Sequence, residues 1–137
     1  MSQENVEVVR RFIEALGRVQ GSDDWQPVLA ELDPDVEIDD LDISLDTEHY
    51  RGHDEARKWL GVWNGAWESW RVENLGVRTV GKDRAVALFL MLAKGRGSGI
   101  ELSRHDAPVC TLRAGKIVEM GYYNDQQQAL DAVGLKE

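Results

Sequence analysis

Apolar residues recur at Val6, Val9, Phe12, Ile13 and Leu16, three and four positions apart, with polar residues between them. That period predicts an amphipathic helix over about residues 3–19, with Ser2 as N-cap and Glu4 in the first turn. "QGSDD" breaks it. Trp25, Val28, Leu29 and Leu32 then mark a second, short helix at roughly 24–32. Within "DPDVEIDDLD", residues 33–42, the run Val36-Glu37-Ile38-Asp39 alternates as a strand does, and an irregular segment follows to about Gly52. "HDEARKWLGVWNGAW" returns to helical spacing, with Ala56, Trp59, Leu60, Trp63 and Trp67 on one face and acids in its first turn to suit the helix dipole. After Trp67 the period becomes that of extended chain. "WRVENLGVRTV", "RAVALFLMLAKG", "IELSRHDAPVCTLR" and "KIVEMGYYN" read as four strands, with "GRGSG" and "RAGK" as hairpin turns. "DQQQALDAVGL" closes the chain as one or two helical turns. The order α-α-β-α-β-β-β-β plus a terminal helix predicts an α+β fold, with helices covering one side of a curved antiparallel sheet.

Length and composition narrow this picture. A chain of 137 residues, 42% hydrophobic, fits a single domain over 1–137 with one real core. No repeat, low-complexity tract or linker divides it. A net charge of −9 repels nucleic-acid backbones, and the largest basic cluster is Arg10-Arg11. No apolar run is long enough to span a bilayer, and "MSQENVEVVRRF" lacks the apolar core of a signal peptide, so the expected address is the cytoplasm without a membrane partner. The lone Cys110 forms no internal disulfide and reads as a buried, inert thiol.

Four words of the sequence carry a resemblance: "ENVEVVRRFIEAL", "LDPDVEI", "YRGHDEARKWL" and "TLRAGKIVEMGYYND". With the element order, they resemble the SnoaL-like branch of the nuclear-transport-factor-2-like superfamily, which also contains ketosteroid isomerases and polyketide cyclases. The resemblance covers essentially the whole chain. It implies a cone-shaped shell of the cystatin-like α+β barrel type. A ligand cavity would lie between the third helix and the concave sheet face, and a homodimer would form through the outer face. No cofactor is expected. It specifies fold far more than reaction, because such shells vary the pocket inside.

The candidate chemistry follows from matching positions. In members that isomerise ketosteroids the general base is an aspartate at the end of the first strand, and the match places Asp39 there. Such a base needs a carboxylate in partly apolar surroundings. The competing reading makes Asp39 and Asp40 solvated loop acids. The oxyanion donors of those isomerases, a tyrosine on the first helix and a protonated aspartic acid on a late strand, match Phe12 and Pro108, neither of which has a side-chain donor. Many SnoaL-like relatives carry histidine at the second position. Pro108 inside a strand predicts a bulge or an edge. Alternation groups it with Arg104, Asp106, Cys110 and Leu112; Asp106 and Arg104 are candidate polar contacts if that face lines the cavity, while a bulge at Pro108 would turn Asp106 outward, with a surface salt bridge as the plainer reading.

On the last strand Met120, Tyr122 and Asn124 share a face that the resemblance puts inside the cone, so Tyr122 is a candidate replacement donor; ordinary sheet core is the plainer reading. The Trp59-Trp63-Trp67 stripe reads as core that doubles as pocket wall. His49 and His53 stand four apart near Glu48 and Asp54. Gly52 separates them and a zinc site needs three convergent ligands, so helix capping is the simpler reading and no metal is expected. "DPDVEIDDLD" lacks the glycine and spaced glutamate of a calcium loop.

The expectation is an apolar pocket lined by Phe12, Trp63, Cys110, Met120 and Tyr122, with Asp106, Pro108 and Asn124 as further contacts. Its guest would be a small apolar organic molecule, and Asp39 would move a proton next to a carbonyl, as in isomerisation or cyclisation of a polyketide- or steroid-like compound. A binding or dimerisation module without catalysis is the alternative. A hydrolase would need Asp39 or Asp106 to converge with Arg104 on one water.

Overall fold

The computed structural model describes residues 3–19, 24–41 and 48–135. The elements run α1 (Gln3–Arg18), α2 (Gln26–Leu29), β1 (Leu32–Asp40), β2 (Glu48–Arg51), α3 (Gly52–Ala66), β3 (Trp67–Val80), β4 (Arg84–Gly95), β5 (Glu101–Arg113), β6 (Lys116–Tyr123) and α4 (Gln126–Ala132). The six strands form one curved, unclosed sheet in the order β2-β1-β6-β5-β4-β3. All neighbours are antiparallel except β1 and β6, which run parallel.

α1 lays Val8, Val9, Phe12, Ile13, Ala15 and Leu16 against the concave face, all of them buried. The Trp70 indole on β3 donates to the Leu16 carbonyl at 3.2 Å and pins the end of that helix. α2 is shorter than the apolar spacing predicts, because Pro27 can start a helix but the chain enters β1 at Leu32. α3 starts at Gly52, whose φ of 80° suits glycine, and Glu55 accepts from the Arg51 N–H at 2.7 Å.

β4 is buried on both faces. Ala85, Ala87, Phe89, Met91 and Ala93 face the main core under α1 and α3. Val86 and Leu88 face a second, smaller core with Ala107 of β5 and Ala129 and Leu130 of α4. That is why "RAVALFLMLAKG" reads as a continuous apolar run instead of an alternating one.

Two sequence expectations need correction. The strand β2, inside the segment taken as irregular, pairs with the end of β1, setting His49 opposite Asp39. Pro108 lies neither at an edge nor at a register shift. It sits buried in the central strand β5, where the ladder to β4 skips between Val86↔Val109 and Phe89↔Asp106 while the pairing Pro108↔Tyr122 to β6 continues. A missing N–H costs one rung on one side only.

Candidate functional site

The concave face carries a group of polar residues that the strand register brings together. Arg104 and Asp106 stand two apart on β5 and so point the same way. Tyr122 enters from β6, directly opposite Pro108, and Asp40 is the register partner of Tyr122 on β1. Asp106 is buried, and its carboxylate accepts three bonds: from Arg104 Nε at 2.5 Å, Arg104 Nη2 at 3.0 Å and the Tyr122 hydroxyl at 2.6 Å. A carboxylate this deep persists only when its charge is balanced and its lone pairs are filled, and the fork of Arg104 does both. Burial, reinforced by the Asp106 charge, pushes the Tyr122 phenol well above its ordinary range, so it stays a neutral donor.

Aromatic rings wall this floor. Tyr122 meets Trp59 edge-on at 5.4 Å and Trp63 at 5.8 Å between centroids. The Arg104 guanidinium lies over the Trp63 ring at 5.8 Å and the Trp67 ring at 5.9 Å. Trp59 donates its indole N–H to Asp40 at 3.1 Å. Between them lies a pocket of about 160 Å³, lined by Asp40, Trp59, Trp63, Trp67, Arg104 and Tyr122 together with Val62, Ala66 and Asn124. The Trp63 Nε1 is buried and has no hydrogen-bond partner among the described residues.

Of the residues singled out from sequence, the pocket therefore gathers Trp63, Tyr122 and Asn124, with Asp106 beneath them. Phe12, Pro108, Cys110 and Met120 belong instead to the packed interior. Large side chains of α1 and β4, Phe12, Ile13, Phe89 and Met91, are fully buried there, and the hollow does not reach them. Burial raises the Cys110 thiol to about 12, which leaves it inert.

Asp39 is turned outward. Its side chain is 52% exposed and its Oδ1 lies 2.7 Å from His49 Nδ1, with Glu37 3.5 Å from the other ring nitrogen. The reason is parity: Val36 and Ile38 are buried, so Glu37 and Asp39 take the outer face and Asp40 the inner one. His53 stands apart from His49, its Nε2 3.0 Å from the Leu32 carbonyl, so the two imidazoles do not converge. Among the described residues no group of three histidine, cysteine or acidic side chains is placed to hold a metal ion. Trp59 and Trp67, read from sequence as core doubling as pocket wall, and Arg104, read as a partner of Asp106, also line it, whereas Asp40, Val62 and Ala66 were not expected there.

Comparison with curated proteins finds no match. Among solved structures, an NTF2-like protein of unknown function from Burkholderia pseudomallei superposes with a TM-score of 0.76 at 22% identity, covering 97% of this chain and 98% of the other. A putative SnoaL-like polyketide cyclase from Jannaschia sp. gives 0.72 at 22% identity, covering 100% and 98%. A hypothetical protein with a ketosteroid isomerase-like fold from Catenulispora acidiphila, in complex with trimethylamine, gives 0.73 at 15% identity, covering 95% and 94%. At these identities the likeness is one of fold. Residues 9–120 match the model of the SnoaL-like domain, and the chain belongs to that family.

Proposed function

We propose that this chain binds one small organic molecule in the aromatic pocket between α3 and the concave sheet face. The observation that carries the reading is the cluster of part-buried Arg104 with buried Asp106 and Tyr122, directly beneath three tryptophans. A buried ion pair contributes little net stability compared with apolar packing, so its place under a pocket argues for a guest. The unmatched Trp63 N–H favours a guest that offers an acceptor. The trimethylamine held by the Catenulispora protein supports the view that such shells admit small organic guests.

A second reading, acid/base chemistry next to a carbonyl, is favoured by one observation: Asp40, a carboxylate at the end of β1, lines the pocket. In that reading the base is Asp40 and not the outward Asp39. The donors such a reaction needs are largely committed, since the Tyr122 hydroxyl and two nitrogens of Arg104 all serve Asp106. Binding without turnover is therefore the primary reading. The cyclase or isomerase activity expected from sequence is the secondary one.

The two readings separate in one experiment. The protein is incubated with 2-tetralone in deuterated water, and α-hydrogen exchange is followed by NMR. Binding alone predicts quenched tryptophan fluorescence with no exchange above the buffer rate. Exchange that is abolished in Asp40→Asn moves the assignment to an acid/base enzyme. The dimer that the family implies would use the outer sheet face around Val109, Gly121 and Tyr123, and sedimentation velocity tests it.

A further inference from the structure

We infer that the guest carries a methylated ammonium head, so that the pocket is an aromatic cage for an organic cation. The inference rests on the binding reading above and narrows it to a ligand class.

The aromatic lining, the charge and the size of the pocket point the same way. Four aromatic side chains, Trp59, Trp63, Trp67 and Tyr122, line one small hollow. The interplanar angles between Tyr122 and Trp59 (69°) and between Tyr122 and Trp63 (79°) set the rings as walls of a box instead of a stack. Ring faces carry negative quadrupolar charge, and a box of them attracts a cation that is only weakly hydrated.

The rings already show this preference. Trp63 and Trp67 both present a face to the Arg104 guanidinium, at 5.8 and 5.9 Å. That resident cation does not close the site to another, because both of its bonds to Asp106 balance its charge in place. Asp40 lines the pocket above Asp106, so among the described residues the charged groups in and under it are two acids and one base. The chain as a whole carries −9, a field that gathers cations and repels anions.

Size agrees with charge. The hollow of about 160 Å³ is small beside the roughly 300–1,000 Å³ of clefts that enclose drug-sized molecules. It suits a trimethylammonium group with a short hydroxyl-bearing tail, whose oxygen can accept from Trp63 Nε1, better than a fused four-ring skeleton.

The test uses a matched pair of probes on the whole protein, choline and 3,3-dimethylbutan-1-ol, which share a shape and differ in charge. Benzoate serves as the anion. Tryptophan fluorescence or calorimetry reads the affinity. Choline is expected to bind about tenfold more tightly than its uncharged isostere, and benzoate more weakly than either. Asp40→Asn should narrow the gap between choline and the isostere, and Trp63→Leu should weaken choline most, each checked for folding by circular dichroism. If the isostere or benzoate binds as well as choline, the cation inference falls and the pocket reading survives. If no probe of any charge binds the wild-type protein, both fall.

Discussion

A shift of one position along β1 separates a carboxylate in the pocket from one in water. Asp40 accepts the Trp59 indole N–H on the inner face, and Asp39 meets His49 on the outer face. The sequence held the signal, since Val36 and Ile38 alternate as inward residues and Asp40 shares their parity. Matching by position to a family pattern overrode it and selected Asp39. The Arg104–Asp106 pair was equally legible, as two opposite charges two apart on a strand. Its coupling to Tyr122 was not, because it depends on the register between β5 and β6.

Arg104→Met leaves the Asp106 carboxylate buried with a single neutral donor, and should cost about 3–5 kcal/mol in denaturant unfolding, as removing one partner of a buried pair does. A loss below about 1 kcal/mol would mean the pair is not buried as described. The hydrogen bond from Asp39 raises the His49 pKa above its ordinary value of 6.5. His49 therefore keeps its proton to higher pH folded than unfolded. Its contribution to stability is complete below the unfolded value and is lost as pH rises through the folded one. NMR titration should show a raised midpoint that falls in Asp39→Asn; an identical midpoint in both would contradict the contact.

Periodicity is most legible in elements that bury one face. α1 and α3 appear where their apolar spacing puts them, and the "GRGSG" and "RAGK" hairpins stand between the strands they were read to join. β2 escaped notice because a four-residue strand with the burial pattern exposed, exposed, intermediate, exposed carries almost no hydrophobic signal. The parallel union of β1 with β6 was also invisible, since it joins chain segments some 80 residues apart. The β5–β6 turn offers a test of element geometry. Ala114 sits at φ 53° next to Gly115 at φ 77°, the left-handed pair of a tight hairpin, and alanine is strained there. Ala114→Gly should stabilise the protein by up to about 1 kcal/mol in thermal or denaturant unfolding, whereas Gly115→Ala should destabilise it by a similar amount. The opposite ordering would rule out this turn.

At the scale of the molecule, the α+β shell and its family are the parts that sequence conveyed well, because they follow from element order and from long periodic segments. No helix among the described residues is long and apolar enough to cross a membrane. What sequence could not convey was how much of the cone is hollow. That depends on how far Phe12, Ile13, Phe89 and Met91 reach into the centre, where all four are fully buried. The remaining space lies under α3, where three tryptophans cover a buried ion pair. The five indole N–H groups report on this space separately by proton–nitrogen NMR, because Trp70 is committed to Leu16 and Trp25 is buried in the core away from the pocket lining. During a titration with choline, the indole signals of Trp59, Trp63 and Trp67 should move together while that of Trp25 stays in place; Trp70, edge-on to Trp63 at 6.4 Å, should follow only weakly. Movement confined to Trp25 or Trp70, or no movement at all, would contradict a guest site beneath α3.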